Sequence, residues 1–231
     1  MRAATVREIS DTARRILVEE GPEAVTVRAI AREMGMTAPA LYRYFGSHKL
    51  LLRHLVADLF TELTDELHAA LARVPDDDLA RKFLVACRRF RHWARAHPRE
   101  YALLFGTPVP GAEHQEEADV AEDSAGKFAW TFMDLLIRLW ERKPFPVPSD
   151  DEIDPALLPQ LRDYRERIGV DLPLGAIQQY LKCWIRLQGG VSLDVFGHLA
   201  FALDDAEPMF ELALAELGAD LGLAYTPPDR D

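Results

Sequence analysis

The sequence lacks the features of a membrane-spanning or secreted protein. None of its apolar runs approaches the roughly 20 residues that cross a bilayer. Met1 to Thr5 lead into charged residues rather than into the apolar stretch of a signal peptide. We therefore expect a cytoplasmic protein.

Cysteine is almost absent as well. Cys87 and Cys183 are the two in the chain, and each lies in an apolar, helix-like context that favours a small buried side chain. No Cys/His cluster has the spacing of a zinc site, and no glycine-rich stretch has the pattern of a phosphate-binding loop. We expect no metal and no cofactor.

Alternating apolar and polar residues, the pattern of a half-buried strand, are also missing. Almost every periodic stretch instead has helical spacing, which predicts an all-α fold. A length of 231 residues suits one or two domains. We divide the chain into a helix-turn-helix domain at 1–50, a helical ligand-binding and dimerisation domain at 51–225, and a disordered tail at 226–231.

Basic residues are outnumbered by acidic ones, 27 to 38, which gives a net charge of −11. The first 55 residues nevertheless hold nine Lys and Arg against six Asp and Glu, so this segment carries +3 and the remainder −14. A basic N-terminal segment on an otherwise acidic chain suggests that a polyanion binds at that end.

Short helices open the chain. The first is predicted from about Val6 to Glu20, with Thr5 and Glu8 as a capping box. The second is predicted from about Val27 to Met34, with Thr26 as its N-cap.

A tight turn separates the second helix from a third. Gly35 is placed to end the second helix, and Thr37 to cap a third that runs to about Phe45 with Pro39 in its first turn. Two short helices joined by a glycine-containing turn predict a helix-turn-helix, whose second helix enters the major groove of DNA.

The third helix has one apolar face, and its other faces suit DNA. Leu41 and Phe45 anchor it, small residues at 38–40 allow close approach, and Arg43 presents a fork that matches guanine O6 and N7. The hydroxyls of Tyr42 and Tyr44 are placed to reach phosphates. The residues expected to face DNA on this helix are Ala38, Pro39, Ala40, Tyr42, Arg43 and Tyr44.

Helical spacing continues through the acidic part of the chain. The fourth helix runs to about Arg73, and its apolar stripe is Leu51, Leu55, Leu59, Leu63 and Leu67. A fifth helix is expected to about His97, and a short one over Pro98 to Phe105. A mobile loop at Gly106 to Ala125 is expected to merge into a helix that ends near Lys143, and a second loop at Pro144 to Pro155 precedes a helical stretch to Arg167. The last two helices are expected over about Leu174 to Leu199 and about Ala206 to Leu221.

The segment from Val27 to Leu52 resembles the DNA-binding signature of the TetR family of transcriptional regulators. The matching residues are Ile30-Ala31, Gly35, Thr37, the block Leu41-Tyr42-Arg43-Tyr44-Phe45, and Ser47. The upstream helix and the length of the chain also fit. The resemblance implies a homodimer that binds double-stranded operator DNA and responds to a small-molecule effector. The lack of a long apolar run already led us to expect no membrane partner.

The resemblance also assigns roles to individual residues. It implies that the DNA backbone is contacted by Thr26, Arg28, Thr37, Tyr42 and Tyr44, and that bases are faced by Pro39, Ala40 and Arg43. The family usually has a phosphate-contacting lysine directly after the serine that opens the fourth helix. Here that position is His48, so Lys49 is the candidate to supply the charge.

The C-terminal half resembles one subgroup of this family. The run Trp184-Ile185-Arg186-Leu187-Gln188-Gly189-Gly190 is similar to its Trp…His-Gly segment, with Gln188 in place of the usual histidine, and residues 97–105 also fit. This resemblance implies that the last two long helices pair with those of a second copy in a four-helix bundle.

The apolar surface near these helices exceeds what one short final helix can cover, and Gly189-Gly190 permits close helix approach. An ordinary core is the alternative interpretation. The residues expected at a dimer interface are Val191, Leu193, Phe196, Phe201, Phe210, Leu214 and Leu217.

Aromatic residues crowd the middle helices. They are typical of an apolar ligand pocket, although aromatics at helical spacing are also typical of a simple core. Gln188 is notable because a buried amide requires a hydrogen-bond partner. The expected pocket residues are Trp93, Tyr101, Phe105, Phe128, Phe132, Tyr180, Trp184 and Gln188.

Three classes of function remain open. The favoured one is a repressor that a small apolar or aromatic effector releases from its operator. An enzyme would have to use His92 or His97 with nearby acids, but no nucleophile–base spacing supports one, so we expect none. A helical carrier or interaction protein without operator binding is the alternative, against which the intact block at 41–45 argues.

Overall fold

The fold is entirely helical in the part of the chain that the computed structural model describes, residues 2–106 and 120–228. These ranges contain ten α-helices and no strand, which confirms the predicted fold class. No helix in them combines the length and the apolar character that crossing a membrane requires. The helices are α1 (Arg2–Glu20), α2 (Val27–Glu33), α3 (Ala38–Phe45), α4 (His48–Leu71), α5 (Leu79–Ala96), α6 (Pro98–Phe105), α7 (Val120–Arg142), α8 (Leu158–Ile168), α9 (Leu174–Val195) and α10 (Glu207–Asp220).

The predicted start of α1 is wrong. The helix begins at Arg2, so Thr5 lies inside it and is not an N-cap. Ala3 and Ala4 are strong helix formers and no breaker precedes Val6, so the helix continues toward the N-terminus.

Side-chain caps explain why α2 and α3 begin where they do. Thr26 Oγ1 accepts a hydrogen bond from the Ala29 amide at 3.1 Å, and Thr37 Oγ1 accepts one from the Ala40 amide at 3.4 Å. Each cap satisfies an amide that the first turn leaves without a partner. Between the two helices Gly35 has a φ of 63°, a left-handed conformation that glycine adopts without strain. The predicted caps and stop are confirmed.

The chain divides into two compact units. Unit 1 is Met1–Glu66 with Trp93–Ala129, and unit 2 is Leu67–His92 with Trp130–Asp231. The boundaries therefore fall inside α4, α5 and α7 rather than in turns. The predicted domain boundary between residues 50 and 51 separates DNA binding from ligand binding and dimerisation, and it stays a prediction.

Unit 1 has one apolar core beneath its first helices. Helix α1 packs against α2 and α6, and α2 packs against α3. The buried residues of this core are Ile9, Ala13, Ile16, Leu17, Val25, Val27, Ile30, Ala31, Leu41, Phe45, Leu51, Leu55 and Leu59.

Unit 2 is arranged around α9, against which α8 and α10 pack. The predicted extension of α9 to Leu199 is wrong. Gly197 adopts a left-handed φ of 71°, and the His198 amide donates to the Leu193 carbonyl at 2.9 Å, so the helix ends at Val195.

Two predicted irregular segments lie largely outside the described residues. The mobile loop predicted at Gly106 to Ala125 is described only at its ends, and α7 already begins at Val120. In the predicted tail, the Thr226 carbonyl accepts a hydrogen bond from Arg88 Nη2 at 2.6 Å, and residues 229–231 are not described.

Candidate nucleic-acid interface

Helix α3 presents a polar face above a buried anchor. Leu41 is fully buried and Phe45 is 4 % exposed, as the sequence predicts. Arg43 is exposed and Tyr42 is 45 % exposed. Of the other residues predicted to face DNA, Pro39 is exposed, whereas Ala38, Ala40 and Tyr44 are half-buried. The outer side of α3 therefore presents the Arg43 guanidinium, the Tyr42 hydroxyl and a surface of small residues.

The described part of unit 1 has uncompensated positive charge around α2, α3 and the start of α4. Within the described ranges, Arg28, Arg43 and Lys49 have no ion-pair or hydrogen-bond partner. By contrast, Arg14 pairs with Glu62, and Arg15 pairs with Glu33. Arg14 and Arg15 are thus paired inside the unit, whereas Arg28, Arg43 and Lys49 are left unpaired where the sequence predicts phosphates.

The capping threonines keep a free donor. The Oγ1 atoms of Thr26 and Thr37 accept backbone hydrogen bonds, while a hydroxyl has one proton of its own to give. Both residues are exposed. Each is able to cap its helix and donate to a phosphate oxygen at the same time.

His48 is in contact with the backbone of unit 1. Its Nε2 lies 2.6 Å from the Val25 carbonyl, so the ring ties the start of α4 to the residues before α2. Ser47 Oγ caps α4 by accepting from the Leu50 amide at 3.1 Å. Lys49, half-buried beside them, remains the predicted phosphate contact.

A charged cluster that sequence analysis missed joins three helices of unit 1. From α1, Arg14 donates to both carboxylate oxygens of Glu62 on α4, at 2.5 and 3.0 Å, and to Glu100 on α6 at 3.3 Å. Trp93 Nε1 donates to Glu62 at 3.3 Å. Burial alone would raise the pKa of Glu62, but the hydrogen bonds and charge of Arg14 outweigh it and hold this pKa below its usual value.

Four residues of the predicted ligand pocket lie in unit 1. The rings of Tyr101, Phe105 and Phe128 are in contact, with centroids 5.0 Å apart for the first pair and 5.7 Å for the second. Phe60 of α4, which sequence analysis missed, lies 5.6 Å from both Phe105 and Phe128. Trp93 turns its polar edge to the Glu62 carboxylate instead.

The other four lie in unit 2. The ring centroids of Phe132 and Trp184 are 6.0 Å apart, and both rings contact Phe90, which is not in the predicted pocket set. Burial raises the pKa of Tyr180, whose hydroxyl pairs with that of Tyr164. Gln188, whose amide was expected to need a partner, donates from Nε2 to Ser192 Oγ at 3.0 Å. The use of these aromatics as a ligand site stays a prediction.

A cavity of about 320 Å³ lies elsewhere in unit 2. It is bounded by the start of α5, the end of α7 and the residues after α10, and no residue of the predicted pocket lines it. Its walls include Leu79, Leu139, Phe145, Leu221, Arg142 and Lys143.

Unit 2 exposes apolar side chains on its last two helices and their connection. Phe201 is 88 % exposed, Leu193 44 % and Phe196 39 %, whereas Val191, Leu214 and Leu217 are buried within the unit and Phe210 is half-buried against Arg91. Met209 is exposed as well, and so are Ile185 and Leu212, which sequence analysis did not select. We call Ile185, Leu193, Phe196, Phe201, Met209 and Leu212 the α9–α10 face.

Comparison with known proteins agrees with this arrangement at both ends of the chain. A family profile described as "Bacterial regulatory proteins, tetR family" matches residues 9–55, and one described as "Tetracyclin repressor-like, C-terminal domain" matches residues 83–217. This chain belongs to the TetR family. It is a DNA-binding transcriptional regulator with an N-terminal helix-turn-helix. The Trp…His-Gly subgroup stays a prediction.

Individual relatives are similar to this chain over most of their length. The HTH-type transcriptional regulator Rv1816 of Mycobacterium tuberculosis is 30 % identical over 199 residues, which cover 82 % of this chain and 80 % of the relative. The crystal structure of the regulatory protein SCO4313 has 30 % identity and a TM-score of 0.71, and covers 94 % of this chain and 96 % of its own. A likeness of fold alone extends to the transcriptional regulator FadR from Bacillus subtilis in complex with stearoyl-CoA, with 12 % identity and a TM-score of 0.55, over 94 % of this chain and 95 % of that one.

Proposed function

We propose that this TetR-family chain is a repressor that holds operator DNA as a homodimer and is released by a small apolar or aromatic effector. The observation that supports the proposal most is the arrangement of α3. The Arg43 guanidinium and the Tyr42 side chain are exposed, whereas Leu41 and Phe45 are buried. Arg43 would contact a guanine edge, with Pro39 and Ala40 close to the bases. Thr26, Arg28, Thr37, Tyr42, Tyr44 and Lys49 would contact phosphates.

The homodimer is supported by the α9–α10 face. A contiguous exposed apolar surface on a globular unit marks an interaction site, and a two-fold dimer places a second α3 at the second half-site of an operator. A Cβ added at Gly189 or Gly190 would meet no atom within 4 Å in the described part of this chain. These glycines therefore leave room for a partner helix to approach.

The effector is proposed from the aromatic clusters in each unit. Apolar walls with few polar groups are usual for a small-molecule site, and the FadR likeness shows a related fold with an acyl ligand bound. Release requires that the effector bind the DNA-free conformation more tightly than the DNA-bound one.

The experiment that tests operator binding is fluorescence anisotropy with DNA from the promoter region of the protein's own gene, across a salt series. We expect tight, sequence-selective binding with a steep salt slope. The variant Arg43→Ala should lose about 1–3 kcal/mol and some selectivity. Arg162→Ala removes an exposed arginine of α8 and should bind like wild type. Equal binding by both variants would contradict the role of Arg43.

Effector release is tested on the same complex. Stearoyl-CoA and a panel of small aromatic acids are titrated against the protein–operator complex, and the operator affinity is measured at saturation. We expect at least one class to weaken binding about tenfold or more, a coupling within the usual range. If random-sequence selection finds no operator while ligands still bind, the carrier hypothesis takes the place of the repressor.

A further inference from the structure

We propose that Glu62, Glu66 and His97 of unit 1 bind a divalent transition-metal ion. One donor atom of each residue lies within 4.8 Å of those of the other two. Ligands around one ion at about 2.0–2.2 Å stand roughly 3–4 Å from one another. The three side chains therefore need to close by about 1 Å, which rotation about their terminal bonds can supply.

The backbone places these donors together. Glu62 and Glu66 are one turn apart and share a face of α4. His97 stands at the N-cap of α6, held by its amide, which donates to the Trp93 carbonyl at 2.9 Å, and by its carbonyl, which accepts from the Tyr101 amide at 2.8 Å. All three side chains are half-buried, so water screens their charges less than at an open surface.

A second set of contacts orients the two kinds of ligand. A Glu100 carboxylate oxygen lies 3.5 Å from His97 Nδ1, and this carboxylate is 5 % exposed. In metal sites a carboxylate beside the non-ligating nitrogen of a histidine orients the ring. Glu62 is oriented by Arg14 and by Trp93 Nε1. An ionised carboxylate has about four acceptor positions, so Glu62 can keep these partners while it binds an ion.

The charge of the cluster favours a dication. Three carboxylates, those of Glu62, Glu66 and Glu100, surround one guanidinium and one imidazole. A divalent ion has the sign of charge that these carboxylates attract. Imidazole together with carboxylates suits zinc, manganese or cobalt better than calcium or magnesium, which prefer all-oxygen sites.

Such an ion would tie α4 to the start of α6 beside the arginine that joins both helices to α1. This inference does not depend on the repressor proposal, because it concerns contacts within unit 1 and needs no operator. Its consequence is a metal-dependent stability of the unit that carries the helix-turn-helix.

The test is titration of the chelator-treated full-length protein with ZnCl₂ by calorimetry and with CoCl₂ by visible absorption. We expect one ion per chain and cobalt bands that report nitrogen and oxygen ligands. Glu66→Gln and His97→Asn should each weaken binding at least tenfold. Glu100→Gln should weaken it about 10- to 100-fold. The control His92→Asn changes an exposed histidine of α5 and should bind like wild type.

Circular dichroism of each variant establishes that it is folded, and His97→Asn decides the question if Glu66→Gln is not. The proposal is overturned if wild type binds no ion at millimolar ZnCl₂. It is equally overturned if binding survives in both Glu66→Gln and His97→Asn, since the ion would then lie on other surface ligands. Competition by equimolar MgCl₂ would contradict the assignment to a transition metal.

Discussion

The outer surface of α3 and the α9–α10 face are both exposed, but they suit different partners. Helix α3 presents Tyr42 and Arg43 above buried Leu41, whereas the α9–α10 face presents Phe201 and Leu212. A polyanion is bound through unpaired cations and hydroxyl groups, and a second protein copy through apolar area. The proposed DNA contact therefore depends on the exposed polar residues of unit 1, and the proposed dimer contact on the exposed apolar residues of unit 2.

The largest effect should separate a buried phenylalanine from an exposed one. Phe45→Ala removes a ring that is 4 % exposed in the core of unit 1 and should lower the free energy of unfolding by about 3–5 kcal/mol. Phe201→Ala removes a ring that is 88 % exposed and should change it by less than about 0.5 kcal/mol under conditions that keep the chain monomeric. Urea denaturation measures both. Similar losses in the two variants would contradict the assignment of Phe201 to a surface.

The next effect concerns association. Leu212→Glu places a charge in the α9–α10 face and should weaken self-association by about 2 kcal/mol or more, roughly 30-fold. Val18→Glu introduces the same charge on α1, at a side chain that is 45 % exposed, and should leave association unchanged. Sedimentation equilibrium over a range of protein concentrations distinguishes the two. A Leu212→Glu variant that still dimerises would move the interface elsewhere.

A smaller effect tests the start of α4. If Lys49 contacts a phosphate, Lys49→Ala should weaken all DNA sequences about equally and reduce the slope of log affinity against log salt by about 1. Lys143→Ala removes an exposed lysine of unit 2 and serves as the control. An unchanged slope in Lys49→Ala would show that no cation replaces the family's lysine at this place.

The smallest effect concerns one partly buried ion pair in each unit, Arg14–Glu62 in unit 1 and Arg88–Glu211 in unit 2. For Glu211, as for Glu62, burial raises the pKa, but hydrogen bonds and arginine charge, here from Arg88, outweigh it and lower the pKa. A lowered pKa in the folded state adds stability at neutral pH, and this stability is lost as pH falls below the unfolded value of about 4.3. Glu62→Gln and Glu211→Gln should each flatten the loss of urea resistance between about pH 5 and pH 3. A variant whose acid loss equals that of wild type would show that its pair contributes nothing.

Local rules were sufficient to predict the helix-turn-helix. Thr26, Thr37 and Gly35 act through hydrogen bonds and backbone angles within a few residues, and Leu41 and Phe45 follow from helical spacing. The start of α1 was missed because a plausible capping pair at Thr5 outweighed the helix-forming residues before it. The roles of these residues on DNA stay predictions.

Contacts distant in sequence could not be predicted in this way. Arg14 meets Glu62 and Glu100 across 48 and 86 residues, a pairing that only the packing of α1, α4 and α6 decides. At the predicted dimer face, periodicity identified apolar stripes but could not tell which stripe the chain covers itself. Val191 and Leu214 therefore fell on the inner side, whereas Ile185 and Leu212 were overlooked.

The buried leucines of α4 wind around the helix instead of lying along one side of it. Leu51, Leu55, Leu59, Leu63 and Leu67 are all at most 1 % exposed. Because an α-helix advances about 100° per residue, each step of four overshoots a full turn by about 40°, and the stripe winds about 160° between its ends. The helix is therefore covered on nearly opposite sides at its beginning and at its end. A one-residue insertion near its middle would rotate every later leucine by about 100° and turn polar side chains toward the core, so α4 should tolerate many surface substitutions but no change of length.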